Sequence, residues 1–454
     1  MPKPHRRNKF PRKPAPEASK PDLPGFGARR CAAILVEKTV DQHESIDQLT
    51  TGSTAIGVYR ALEPQDRGLA RAIALATLRH YRRIGEVLSR LYNRKPPKNA
   101  RYLVHTLEVA AAQILYMNVP ASAAVNLAVS AINRDKRTAR FTGFANAVLR
   151  KLADETESLR TSVEEVSPFP AWMTKKLVSG YGKKLTAEMG MAVSNEPNVD
   201  LVTRPGAENV LPADFATVLP MGILRLTTAT PVTELPGYEA GQWWVQDIAA
   251  SLPARLLGDV TGKQIADLCA APGGKTMQLA SLGANVTAVD ISRQRLGRLT
   301  ENLKRTGLSA EIVQADILEW EPDERFDAIL LDAPCTATGT VRRHPDVLWN
   351  KTPENLDELV ALQRALIHRA ARLLKPGGTL IYANCSLFRE EGEDIAANPP
   401  VEGMVLDPIL PAELPGLEFC INRQGTMRCL PHFLGGQHAE GGMDGFFAAR
   451  FIVG

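Results

Sequence analysis

Asp267-Leu268-Cys269-Ala270-Ala271-Pro272-Gly273-Gly274-Lys275-Thr276 is the stretch that decides the fold of this chain. Residues 264–268 read as a short buried strand, and a helix follows the glycines. Small residues let a backbone approach a ligand closely. The start of a helix offers unpaired N–H groups. Sixteen residues after Gly274, Val289-Asp290 ends the next strand, where a carboxylate can accept hydrogen bonds from both ribose hydroxyls. Asp316, after a third strand, is placed to meet an adenine amino group.

The stretch is not the Gly-x-Gly-x-x-Gly dinucleotide fingerprint. Nor is it a phosphate-binding P-loop, because Cys269 stands where that motif needs its first glycine. A tight structural turn would leave the two strand-end aspartates unexplained. The set fits S-adenosylmethionine. The expected binding residues are Cys269, Ala270, Ala271, Pro272, Gly273, Gly274, Lys275, Asp290, Asp316 and Asp332, with the Cys269 side chain itself read as packing.

Outward from the loop, strands at 286–289, 311–314, 328–331 and 379–382 alternate with helices at 292–306 and 356–374. That alternation predicts an α/β fold, a parallel, doubly wound, Rossmann-like sheet over residues 239–454. Ligands of such sheets bind at the carboxyl ends of the strands. Two cysteines fall there: Cys335 in Asp332-Ala333-Pro334-Cys335, and Cys385 in Asn384-Cys385-Ser386. A free cysteine is usually a small buried hydrophobe, which is the reading for Cys31, Cys420 and Cys429. Two thiols at strand ends beside a cofactor loop point instead to covalent chemistry.

Before this region the pattern is helical over residues 26–160. Leu69, Ile73, Ala76, Ile84, Val87, Leu88 and Leu91 recur at three- and four-residue spacing. Arg67, Arg71, Arg79, Arg82, Arg83 and Arg90 make an opposite, basic face, open to solvent or to RNA. Residues 161–238 read as a linker and a small α+β subdomain. The first thirty residues carry nine basic side chains against two acidic ones, +7 in a chain of net charge +4. A disordered basic tail is expected over residues 1–25. The six cysteines lack zinc-ligand spacing, which argues against a disulfide framework or a metal site. No signal peptide or membrane-spanning run is seen, and the cytoplasm is the expected compartment.

Asp332-Ala333-Pro334-Cys335-Thr336-Ala337-Thr338-Gly339, running on into Arg342-Arg343-His344-Pro345-Asp346, closely resembles the RNA cytosine-C5 methyltransferases when taken with the 267–276 loop and Asn384-Cys385-Ser386. Gly241–Asp247 and Gly442–Phe447 match as well. The segment Phe144-Ala145-Asn146-Ala147-Val148-Leu149-Arg150 looks like the NusB-type RNA-binding domain that precedes the catalytic domain in enzymes of bacterial 16S ribosomal RNA. The resemblance implies that Cys385 attacks cytosine C6 and that Cys335 assists product release. It implies that Asp332 hydrogen-bonds the base at N3 and that the partner is RNA, most of all 16S rRNA; a monomer is the expected state. Position 384 is Asn where the family usually has Thr. Arg342, Arg343 and His344 are candidates for RNA phosphate contacts. The alternatives are another RNA target (tRNA or 23S rRNA), a DNA-type cytosine methyltransferase with Cys335 as nucleophile, and a non-catalytic RNA-binding protein.

Overall fold

The computed structural model describes residues 23–207, 209–435 and 441–454, so the tail expected over 1–25 lies outside the described residues up to residue 22. Helices then follow one another, the longer ones being Phe26–Gln42, Pro64–Arg79, Tyr81–Leu91, Arg101–Tyr116, Ala121–Arg134 and Thr142–Asp154. Arg101–Tyr116 is the central one. It packs against all five of the others, and buries Leu103, Leu107, Ala111 and Leu115. Its one buried imidazole, His105, is paired at both ring nitrogens, with Glu108 at 2.7 Å and Asp41 at 3.1 Å.

The apolar face read from Leu69 to Leu91 is split at His80, whose backbone (φ −105°, ψ 14°) leaves the helical region. Each half keeps its own apolar stripe. Part of the basic face turns inward as well. Arg82 donates to the carbonyls of Ser167 and Phe169 at 2.9 and 2.7 Å, and Arg83 to those of Val166 and Glu164. Arg79 reaches Asn195 O and Arg342 O. These guanidiniums satisfy backbone acceptors of the linker and, at Arg342, of the catalytic domain, which the helical spacing could not foretell.

After the helix Ala171–Val193 comes a small antiparallel sheet of β1 (Asp200–Thr203), β2 (Ala216–Val218), β3 (Leu224–Leu226) and β4 (Trp243–Val245), in the order β2-β3-β1-β4. Its fourth strand lies past residue 238. A fully buried pair, Arg225 with both oxygens of Asp200 at 2.7 and 2.9 Å, links β3 to β1.

The main sheet comprises β5 (Gln264–Leu268), β6 (Asn285–Asp290), β7 (Glu311–Gln314), β8 (Phe326–Asp332), β9 (Leu374–Asn384), β10 (Met404–Leu406), β11 (Met427–Cys429) and β12 (Phe446–Val453). The order is β10-β12-β9-β8-β5-β6-β7, with β11 also paired to β12. From β7 to β9 the neighbours are parallel, as expected of a doubly wound fold. The far edge is not: β12 enters antiparallel between β9 and β10, so the sheet is mixed rather than wholly parallel. Period-two burial divides the core between the two faces. In β8, Ala328 and Leu330 join one apolar cluster with Leu296, Leu299 and Leu303 of Arg293–Thr306. Ile329 and Leu331 join the other, with Leu366, Ile367 and Ala370 of Pro353–Leu373.

The chain leaves β5 outward to β6 and β7, then returns to β8 on the other side. A crevice therefore opens at the carboxyl ends of β5 and β8, where the winding reverses. Among the described residues, no helix is long and apolar enough to cross a membrane.

Candidate active site

Three loops meet at this crevice. The first follows β5. Cys269 and Gly273 are left-handed there (φ 60° and 100°), and a Cβ on Gly273 would sit 2.9 Å from Leu299. Asp290 ties the loop to β6, its carboxylate accepting the N–H groups of Ala271 at 3.2 Å and Ser292 at 2.9 Å. Arg295 closes over it at 3.2 Å. The helix Gly274–Ser281 begins at the crevice.

At the end of β5, Asp267 is fully buried. Thr276 donates to its Oδ2 at 2.6 Å, while Oδ1 has no partner. Burial pushes this carboxyl up to about 7, against the pull of the Thr276 hydrogen bond. A buried acceptor with an open lone pair, beside a glycine turn, is what an α-ammonium group needs. S-adenosylmethionine carries one, so the residues fit that cofactor.

The second loop follows β8. Lys275 donates to Asp332 at 2.7 Å and lies 4.9 Å from the centre of the Phe446 ring. The third follows β9. Its backbone abuts the second: Gly339 N–H donates to Cys385 O at 2.8 Å and Gly445 N–H to Gly339 O at 2.9 Å. A Cβ at position 339 would collide with the Gly445 carbonyl, so only glycine allows the three backbones to converge.

The two thiols meet at 3.5 Å, Sγ to Sγ. The Cys335 thiol is pushed well above its ordinary range, first by the Cys385 sulfur and then by burial. Asn384 shows what replaces the family's threonine. Its amide nitrogen donates to Tyr382 Oη at 3.1 Å and Glu391 O at 2.6 Å, and its oxygen accepts Ser386 N–H at 3.0 Å.

The cleft encloses about 400 Å³. Of the residues expected from the sequence, Ala270, Ala271, Pro272, Gly274, Lys275, Asp332 and Cys385 line it. Cys335 stands behind Cys385. Cys269, Gly273 and Asp290 shape the loop from beneath, and Asp316 lies exposed beyond β7, capping its own turn through Leu318 N–H. Asp267, Trp244, Gln246, Asn302, Arg305 and Phe446 also line the cleft. The signals for some were the stretches 241–247 and 442–447. Arg342 does not face RNA: it is 1% exposed, directed at Asp247 3.8 Å away. Arg343 lines the cleft and is paired with Asp444.

Comparison with known proteins follows the same division. The family model "16S rRNA methyltransferase RsmB/F" matches residues 254–452, and the NusB family model matches 27–154. The "Ribosomal RNA small subunit methyltransferase B" of Enterobacter sp. (strain 638) is 33% identical over 390 residues, covering 81% of this chain and 89% of that protein. Among solved structures, that of PH0851 shares 24% identity and a TM-score of 0.68, covering 95% of this chain and all of that one. NSun6 from Pyrococcus horikoshii, solved with SFG, has 21% identity and a TM-score of 0.51, covering 64% and 99%. At those identities the two structures establish the fold. The relative and the family models, together with a cleft whose residues fit S-adenosylmethionine, establish that this chain belongs to the RsmB/F family of S-adenosylmethionine-dependent 16S rRNA methyltransferases.

Proposed function

We propose that this protein methylates C5 of a cytosine in 16S ribosomal RNA through a covalent adduct on Cys385. The observation that carries the reading is the thiol pair: Cys385 opens into the cofactor cleft, and Cys335 lies 3.5 Å behind it. Cytosine C5 is a poor nucleophile. Addition of the Cys385 thiolate to C6 breaks the ring's conjugation and makes C5 enamine-like. Asp332 then meets the N3 edge of the base, held in place by Lys275. S-adenosylmethionine, when bound, supplies the methyl group from its sulfonium. The residues that would hold it are Ala270 to Lys275, with Asp267 at the ammonium and Asp290 toward the ribose. After transfer, the C5 proton leaves and the Cys385–C6 bond breaks. Cys335, as base or as its relay, serves that step.

The helical domain supplies RNA affinity in this reading. With the arginines of residues 79–83 occupied internally, the exposed cations include Arg94, Lys95, Lys98, Lys136, Arg137 and Arg140. The protein would act as a cytoplasmic monomer.

Bisulfite mapping of RNA from cells with and without the protein tests this. The expected result is one 16S cytosine that loses protection in its absence. Loss confined to 23S rRNA or tRNA would move the substrate, and loss nowhere would overturn the reading.

A further inference from the structure

Glu391 follows β9 in a short turn and is fully buried. Its carboxylate is held by neutral donors. Thr336 N–H reaches Oε1 at 2.9 Å, Thr336 Oγ1 reaches Oε2 at 2.5 Å, and Gln363 Nε2 reaches Oε1 at 2.9 Å. Its backbone carbonyl accepts Tyr382 Oη and Asn384 Nδ2, both at 2.6 Å. Thr336 is the neighbour of Cys335, and Asn384 is the neighbour of Cys385. One residue thus grips both thiol-bearing loops, the first through its side chain and the second through its main chain. Gln363 reinforces the grip by also donating to Pro334 O at 2.8 Å and accepting Tyr382 Oη at 3.0 Å.

The charges around the thiols are unevenly placed. Glu391 bears on Cys335 and raises it further. Arg343, in the cleft wall, is paired with Asp444 at 2.8 Å. Tyr382 of β9 is buried and held in its neutral form, chiefly by burial. Arg428 of β11 is neutralised by Glu393 at 2.7 Å, and Lys275 and Asp332 pair with each other across the cleft. These three cations are each paired with a carboxylate, and the Glu391 carboxylate, held by neutral donors alone, faces Cys335. Two acids in contact share their protons as a unit, and such asymmetry decides which one keeps the proton.

We propose that Glu391 is a positioning residue that divides the labour between the thiols, holding them in contact and keeping the proton on Cys335. The inference rests on the two-thiol reading above, but its test needs no RNA.

The full-length protein is alkylated with iodoacetamide across a pH range, and mass spectrometry of the peptides reads which cysteine is labelled. The native protein labels at Cys385 first. Glu391→Gln removes the charge and keeps the shape. Labelling then spreads to Cys335, and the alkylation midpoint falls by about one pH unit. Glu391→Asp keeps the charge and the native preference. If Glu391→Gln does not fold, Gln363→Leu takes away one donor and leaves the charge less compensated, so Cys335 labelling moves to higher pH. A native preference and midpoint in Glu391→Gln, or no movement in Gln363→Leu, overturns the proposal. Because labelling is independent of methylation, it separates this failure from a failure of the C5 assignment in the bisulfite map.

Discussion

Arg79 Nη1 donates to the main-chain oxygen of Arg342 at 2.6 Å, across 263 residues of sequence. Arg79 belongs to the NusB domain, and Arg342 to the loop that carries Cys335. Two further bonds run alongside: Trp349 Nε1 to Leu78 O at 2.9 Å, and Ile46 N–H to Asp346 Oδ2 at 3.1 Å. The helical domain is therefore docked on the segment that follows Cys335 rather than tethered at a distance. Burial pulls the Arg79 guanidinium down to about 10, still well above neutrality, so the contact stays charged in the cell.

Arg79→Ala should leave the carbonyls of Arg342 and Asn195 without their donor. Unpaired buried acceptors cost about 1–3 kcal/mol, and thermal unfolding should report a loss of about 2 kcal/mol. Limited proteolysis should cut sooner between the domains. A native melting curve would show that the interaction is idle.

The thiols should fail at different steps. Cys385→Ala should give neither adduct nor 5-methylcytosine. Cys335→Ala should add to the base and transfer the methyl group, then stall, so that a protein–RNA species survives a denaturing gel. A trapped adduct in Cys385→Ala and none in Cys335→Ala would assign the attack to Cys335.

Cofactor affinity should depend on pH through Asp267. Its carboxyl titrates at about 7 before the cofactor arrives, and only its ionised form can accept the cofactor's ammonium. Affinity measured by calorimetry should weaken below that pH, approaching tenfold per unit. For the unliganded protein the sign is opposite. A carboxyl raised above its ordinary 3.8 favours folding at low pH, and that contribution is lost as pH rises through about 7. Asp267→Asn should flatten both profiles and bind weakly.

Lys136→Ala with Arg140→Ala should lower the slope of log affinity for RNA against log salt by about one for each phosphate no longer neutralised. Arg82→Ala should leave the slope unchanged, since its guanidinium is spent on Ser167 O and Phe169 O. Equal effects from both would place the RNA on the linker face.

What was legible in the sequence was local. The 267–276 loop, the strand-end position of Asp290 and the sites of both cysteines follow from short-range pattern, because a strand, a glycine turn and a helix start are each specified by neighbouring residues. What covers a surface is not local. Helical spacing placed Arg79, Arg82 and Arg83 on one face but could not show that residues 164–169 lie against it. Glu391 sat in the irregular run 389–394, where neither period applies, and its partners Thr336 and Gln363 are 55 and 28 residues away. Cys335 and Cys385 were both visible, but which one opens to the cleft depends on how the loops fold back on Gly339.

The antiparallel insertion of β12 also sets an order of events during synthesis. Until Phe446–Val453 has left the ribosome, β9 is a bare edge of eleven mostly buried residues, and Cys385 at its end has no Phe446 or Gly445 against it. Unpaired, apolar edges are where nascent chains associate wrongly. Cys385 is thus enclosed only after residues 446–453 are made, so a ribosome that stalls after residue 400 releases a chain with its cofactor loop built and that thiol uncovered.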